Sequence, residues 1–163
     1  MTPWLQAIEN SSWAMWLKGS PSIWGYPTLL FLHTLGISFS AGPSVAIDLR
    51  LLGFAGRLPL APFDAFFRVV WVALAVNAAS GIVLFASDAT AKLANPAFIV
   101  KMTLVAVAVV ITAAIRRRVF RDPDRGEVPV DGVSSWLAVC SIVCWFGAIT
   151  AGRFMAYFEA ASF

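Results

Sequence analysis

The sequence predicts an all-α protein, in which a four-helix transmembrane bundle is preceded by an N-terminal amphipathic interfacial helix. Hydrophobic residues make up 60% of the 163 residues and charged residues 13%, and the mean hydropathy of +0.79 lies above that of soluble domains. The apolar residues form four runs, each long enough to cross a hydrocarbon core of about 30 Å. None of the runs alternates with a period of two, which disfavours a membrane barrel. We therefore treat residues 1–163 as a single integral membrane domain.

The interfacial helix is predicted over residues 2–18. It begins at Thr2-Pro3, a pairing typical of a helix start, and ends before Gly19. The segment carries three tryptophans, at positions 4, 13 and 16. Tryptophan is enriched at membrane interfaces, so this helix is expected to lie at the headgroup level. Packing of the same helix against the bundle is the alternative.

The four transmembrane helices are predicted at about 23–47, 69–87, 97–115 and 133–158. Asp48 and Arg50 follow the first run and are expected to mark its return to water. Asn95 and Pro96 are suited to the N-cap and the first position of the third helix. The segment between the third and fourth helices is predicted to be an exposed loop, because it combines mixed charges with Pro123, Gly126 and Pro129.

The basic residues predict the orientation of the bundle. Eight of them fall on the side of the loops after the first and third helices, and four on the other side. The first group is Arg50, Arg57, Arg68, Arg116, Arg117, Arg118, Arg121 and Arg125, and the second is Lys18, Lys92, Lys101 and Arg153. By the positive-inside rule, both termini are periplasmic in a multi-pass protein of the bacterial inner membrane.

His33 is the only histidine, and it lies inside the first apolar run. Helical spacing places it on one small, polar face with Gly36, Ser40 and Ser44. In lipid, such a face is expected to turn toward neighbouring helices.

Lys101 and Arg153 are predicted to lie in the same outer half of the bundle as His33, with Asp88 as the nearby carboxylate. Charged groups at that depth usually face a partner, a ligand or water. An imidazole that binds iron and two cations that pair with propionates would suit a b-type haem. The second axial ligand would be Met102, Met155 or a histidine of a partner protomer or subunit, and Asn77 is a further candidate for cofactor binding. The alternative is structural: His33 bonds to a polar side chain such as Asn77, and the two cations extend to the interface.

Cys140 and Cys144 lie four residues apart in the fourth run. Together with His33 or a methionine they could hold Cu(I), because soft thiolates select that ion. Their face also carries Gly147 and Ala148, and packing of small residues is the favoured interpretation.

No catalytic constellation is visible, which favours a protein that is not an enzyme by itself. Three hypotheses stay open: a haem-binding electron-transfer subunit, a non-catalytic accessory or assembly subunit of a membrane complex, and a Cu(I)-handling protein. The expected partners are the lipid bilayer and either copies of the chain or other subunits. The formal charge of +3 is too small and dispersed for nucleic-acid binding.

Three segments carry a resemblance that spans nearly the whole chain. They are Leu32-His33-Thr-Leu-Gly36 through Asp48-Leu-Arg50-Leu-Leu-Gly53, Asn95-Pro-Ala-Phe98-Ile-Val-Lys101-Met, and Ala151-Gly-Arg153-Phe-Met-Ala-Tyr157. The chain resembles an uncharacterised family of small bacterial inner-membrane proteins, a resemblance that implies four membrane helices and no activity. It is more weakly similar to the copper-resistance D and cytochrome b561-like membrane proteins, although it lacks the paired histidines of the cytochromes.

Overall fold

A computed structural model describes residues 3–19, 21–120 and 131–160, and side chains as far as residue 155. This part of the chain is helical and contains no strand. Its helices are α1 (Pro3–Glu9), α2 (Ser12–Gly19), α3 (Tyr26–Leu51), α4 (Asp64–Ser87), α5 (Ala89–Ala94), α6 (Pro96–Val119) and α7 (Gly132–Ala160), and a 3-10 turn (Ala61–Phe63) leads into α4. The predicted fold class is confirmed.

Four of these helices, α3, α4, α6 and α7, are long and apolar enough to cross a membrane. Each begins within five residues of its predicted start. Helices α3 and α6 each continue four residues beyond their predicted ends. Because α3 reaches Leu51, Asp48 lies inside the helix, with 1% of its surface exposed. The prediction that Asp48 marks the return to water is therefore wrong. The helical face of His33 continues past Ser44 by one more turn and includes the carboxylate.

The bundle consists of two helical hairpins that pack side by side. Helix α3 packs against α4, α6 packs against α7, and α3 against α7 joins the two hairpins. We call the end where α3 and α6 begin the outer end, and the end where α4 and α7 begin the inner end. The apolar core lies between the hairpins and includes Ile47, Phe67, Ile115 and Trp145.

The predicted interfacial helix is divided by a turn at Asn10-Ser11 into α1 and α2, and residue 2 lies outside the described part. Both short helices pack against the outer part of α4. Glu9 accepts hydrogen bonds from the backbone N–H and the hydroxyl of Thr90, which fixes α1 to α5. Leu5, Ala14 and Leu17 are buried, whereas the three tryptophans are exposed. The segment is therefore amphipathic and rests on the outer end of the bundle.

Two residues of α3 shape its backbone. Gly36 lies against α4 so closely that an added Cβ would stand 2.7 Å from Asn77 Cβ and 2.8 Å from Asn77 Cα. Only glycine permits this approach. Pro43 lies within the helix and has no N–H to donate to the carbonyl of Phe39, one turn before it. The backbone of α3 therefore lacks one helical hydrogen bond at the junction between its outer and inner halves.

Asp131 starts α7 at the inner end. Its Oδ1 accepts a hydrogen bond from the Ser134 N–H at 2.9 Å, and its Oδ2 pairs with the Arg118 guanidinium at 2.7 Å. The carboxylate thus caps α7 and connects it to the end of α6. The predicted loop with Pro123, Gly126 and Pro129 lies outside the described residues.

Asp131 yields a prediction about acid stability. The hydrogen bonds from Arg118 and Ser134 hold the pKa of its carboxyl group well below the ordinary value. A depressed pKa adds stability that is present above the unfolded-state pKa and is lost as the pH falls through the folded one. We expect Asp131→Asn to lower the melting temperature slightly at neutral pH and to leave it unchanged in strong acid. Asp64→Asn, which also removes a carboxylate paired with an arginine at this end, is the control. An equal loss at both pH values would contradict the assignment.

Candidate functional site

His33 lies in the outer half of the bundle, where it contacts α4 and α6. Its Nδ1 is 3.1 Å from the Asn77 carbonyl oxygen and 3.3 Å from Ser80 Oγ, and its Nε2 is 3.4 Å from Lys101 Nζ. The predicted position of His33 on a face turned toward other helices agrees with these contacts. His33 therefore connects the backbone carbonyl of Asn77 on α4 to the ammonium of Lys101 on α6.

The partners of His33 determine where its proton lies. A carbonyl oxygen only accepts, so the contact with Asn77 requires a proton on Nδ1. Lys101 donates to Nε2, which therefore presents its lone pair to the ammonium. The Ser80 hydroxyl donates to the Val76 carbonyl at 2.7 Å, and its oxygen is left to accept from Nδ1. These directions make the imidazole neutral, with the Nε2 lone pair engaged by Lys101.

Two glycines make room for this polar group. A Cβ at Gly81 would stand 3.0 Å from His33 Cε1 and 3.4 Å from Nδ1, so this edge of the ring lies close to the backbone of α4. A Cβ at Gly152 would stand 3.5 Å from Lys101 Cδ, so the lysine stem crosses α7 at this glycine. All four long helices therefore contribute to the surroundings of the pair. We call His33, Asn77, Ser80 and Lys101 the outer polar cluster.

Lys101 is partly buried, and no described carboxylate lies within ion-pair distance of it. Asp88, the carboxylate expected nearby, instead pairs with Lys18 at 3.3 Å and Lys92 at 4.0 Å. Arg153 follows Gly152 and lies at the same level of α7, but its side chain is exposed. The structure therefore joins His33 to Lys101 and leaves Arg153 at the surface of the bundle.

The candidate ligands besides His33 lie in different surroundings. Met102 is 49% exposed on the outside of α6, and Met155 is half-buried near the outer end of α7. Asn77 is buried within the outer polar cluster, where its carbonyl contacts His33 and its Oδ1 has no hydrogen-bond partner in the described part. Of these three residues, Asn77 is the one for which the structure shows a contact with His33, and it makes this contact through its backbone carbonyl rather than its side chain.

Cys140 is exposed and Cys144 is buried on α7. The neighbouring Ser141 lies beside Asp48, which is fifteen residues along α3 from His33, or roughly 22 Å at 1.5 Å per residue. The structure therefore places the cysteines well below His33, and the described residues contain no group of three potential metal ligands. A copper site would have to use the two thiolates without this imidazole.

A second polar cluster, which the sequence analysis missed, surrounds Asp48 in the inner half. Asp48 and the hydroxyl residues Ser44 and Thr112 line one small cleft, and Ser141 of α7 lies beside the carboxyl group. We call these four residues the inner polar cluster. The signal that could have revealed it is the face of His33, Gly36, Ser40 and Ser44, because four residues further along stands Asp48.

A groove of about 410 Å³ between α3 and α4 is open to the surface. Its lining is apolar apart from Arg68 and does not include His33. Since the Nε2 lone pair faces Lys101, a haem iron or a copper ion would have to displace the ammonium to reach the imidazole. Lys101 could then pair with an acidic group of the ligand.

Comparisons with protein-family models, with curated proteins and with solved structures gave no match. The class of protein is therefore defined by the four apolar helices alone, which are compatible with an integral membrane protein.

Proposed function

We propose that this chain is a multi-pass subunit of the bacterial inner membrane that binds an anionic ligand at the outer polar cluster. The observation that carries the proposal is the ammonium of Lys101. It is partly buried among four helices, contacts a neutral imidazole at 3.4 Å, and has no carboxylate partner among the described residues. A cation at membrane depth without a counter-ion is costly, and an acidic ligand group would offset that cost.

The orientation supports the same proposal. Arginines are concentrated at the inner end, where Arg116, Arg117 and Arg118 close α6. By the positive-inside rule, we expect the inner end to lie in the cytoplasm and both termini in the periplasm. In this orientation the outer polar cluster lies in the periplasmic half of the bundle, and its ligand would enter from the periplasm or from the outer leaflet.

Haem b is the ligand with the most direct test. Lys101 and the exposed Arg153 would pair with its propionates, and His33 would hold its iron through Nε2 if the ammonium were displaced. Copper bound by Cys140 and Cys144, and an accessory role with no ligand, are the other outcomes of the same experiment.

The test measures bound cofactor in the protein purified in mild detergent. A haem-loaded parent protein should show a Soret absorption band that His33→Ala removes. Copper content that depends on Cys144→Ser, with no Soret band, would support copper handling instead. If neither is found, haem and inorganic phosphate are added separately and the thermal stability is recorded, because a ligand that binds only the folded state raises it.

Lys101→Met gives the decisive prediction for this site. Methionine retains most of the stem volume that crosses α7 at Gly152 but removes the charge. A hydrogen bond to a charged group contributes about 1.5–3 kcal/mol, so ligand affinity should fall roughly tenfold to a hundredfold. Lys18→Met, which removes a cation of the same end paired with Asp88, is the matched control and should leave affinity unchanged.

Arg153→Met is expected to weaken binding less than Lys101→Met, because the arginine is exposed. Equal ligand-dependent stabilisation of the parent, Lys101→Met and Arg153→Met would rule out an anion site here.

A further inference from the structure

We propose that Asp48 is a proton-binding site in the inner half of the bundle, with its carboxyl group held in the protonated form by the inner polar cluster. The site is separate from the outer polar cluster, and neither proposal depends on the other. Its ligand is the proton itself, which adds to a carboxylate oxygen to form a neutral acid and returns to water when the pH is raised.

Asp48 is buried, and one of its carboxylate oxygens lacks a partner in the described part of the chain. Its side chain is 1% exposed within α3, and its Oδ2 has no hydrogen-bond partner among the described residues. The neighbouring Arg50 does not offset the charge, because its guanidinium donates to the carbonyls of Leu58 at 2.8 Å and Gly56 at 3.1 Å. An ionised carboxylate without a partner is very costly in a medium of low dielectric constant, and such a group neutralises instead.

Hydroxyl groups of three helices surround the carboxyl group of Asp48. Ser44 donates to the Ser40 carbonyl and Thr112 to the Ala108 carbonyl, each at 2.8 Å, so both hydroxyl protons are already used. These oxygens line the cleft with their remaining lone pairs. Lone pairs repel a carboxylate but accept a hydrogen bond from a carboxylic acid. The hydroxyl of Ser141 has no hydrogen-bond partner in the described part and can donate to the carboxyl group, but one neutral donor does not offset the burial of a charge. The surroundings on balance suit the protonated form.

The helices that pack around Asp48 carry several charged or titratable groups toward the inner end. Helix α4 carries Asp64 and Arg68 near its start, α6 carries Arg116 in its last turn, and α7 carries the buried thiol of Cys144. Arg116 pairs with Asp64 at 3.8 Å and lies over the Phe67 ring, while Phe67 itself lines the cleft. Arg118 is paired with Asp131. Within the described part, no cation is directed at Asp48.

The cleft beside Asp48 is very small. It is lined by Ser44, Ile47, Asp48, Phe67, Thr112 and Ile115, and it has no room for a water molecule. A hydrated metal cation therefore has no space beside the carboxyl group, whereas a proton needs none. Asp48 lies within one turn of the end of α3, so the site is near the inner end of the bundle.

The experiment is infrared spectroscopy on the protein labelled with carbon-13 at aspartate and reconstituted in lipid vesicles. Near neutral pH we expect the carbonyl stretch of one protonated aspartic acid, which Asp48→Asn removes and Asp64→Asn retains. Raising the pH should convert the acid to the carboxylate and lower the melting temperature of the parent. In Asp48→Asn, neither the conversion nor the accompanying fall in melting temperature should occur.

Absence of the protonated band in the parent near neutral pH would overturn the proposal, and so would a band that persists in Asp48→Asn. The measurement on the labelled parent does not depend on the folding of any variant. A band that disappears on addition of sodium or lithium at constant pH would also overturn it, since a metal cation would then be the ligand.

Discussion

Replacing Gly36 with alanine should lower the thermal stability of the protein by several degrees. The new methyl group would stand less than 3 Å from the Cα, Cβ and backbone nitrogen of Asn77, and these atoms cannot turn away. Helices α3 and α4 must therefore separate. Overpacking of this kind costs about 1–3 kcal/mol, and each kcal/mol shifts the melting temperature by about 2–4 °C in a protein of this size.

The same substitution should also disturb the outer polar cluster, because His33 reaches Asn77 across this helix crossing. Gly132→Ala is the matched control, since no described atom lies within 4 Å of its added Cβ. Melting curves in detergent for the parent and both variants suffice. Equal stability of Gly36→Ala and Gly132→Ala would contradict the close packing of α3 on α4.

Trp145→Ala should have a still larger effect. Trp145 is fully buried in the core between the hairpins, and its removal leaves a cavity the size of an indole ring. Truncation of a buried tryptophan costs about 3–5 kcal/mol in water-soluble proteins. We expect about 3 kcal/mol here, because lipid is itself apolar and the loss is mainly one of packing.

Trp136→Ala and Trp145→Phe are the controls for Trp145→Ala. Trp136→Ala lies on the same helix but is 71% exposed, and it should change the melting temperature little. Trp145→Phe keeps an aromatic ring and removes an indole N–H that has no partner in the described part, so it should be milder than alanine. A similar loss for Trp136→Ala and Trp145→Ala would show that the indole of Trp145 is not in the core.

Helix number and approximate position were predictable because both depend on local composition. Crossing a hydrocarbon core requires a long apolar run whatever the fold, and Asn95 and Pro96 marked the start of α6 to within one residue. Asn95 does cap that helix, since its side chain accepts a hydrogen bond from the Ala97 N–H at 3.0 Å.

The partners of the charged groups were not predictable in the same way. His33 and Lys101 are 68 residues apart in sequence, and their contact depends on how two hairpins pack rather than on either segment alone. Asp88 was expected near Lys101, but α2 folds back to bring Lys18 within 3.3 Å of it. Asp48 was misassigned because its position at the end of an apolar run is typical of a boundary, whereas helical spacing places it on the buried face.

Pro43 gives these two polar clusters a mechanical relationship. His33 lies ten residues before the proline and Asp48 five residues after it, on the same helix. A helix bends most easily where a backbone hydrogen bond is missing. Any bending of α3 at Pro43 would therefore change the angle between the segment that carries His33 and the segment that carries Asp48, and would shift each side chain relative to its neighbours on the other helices.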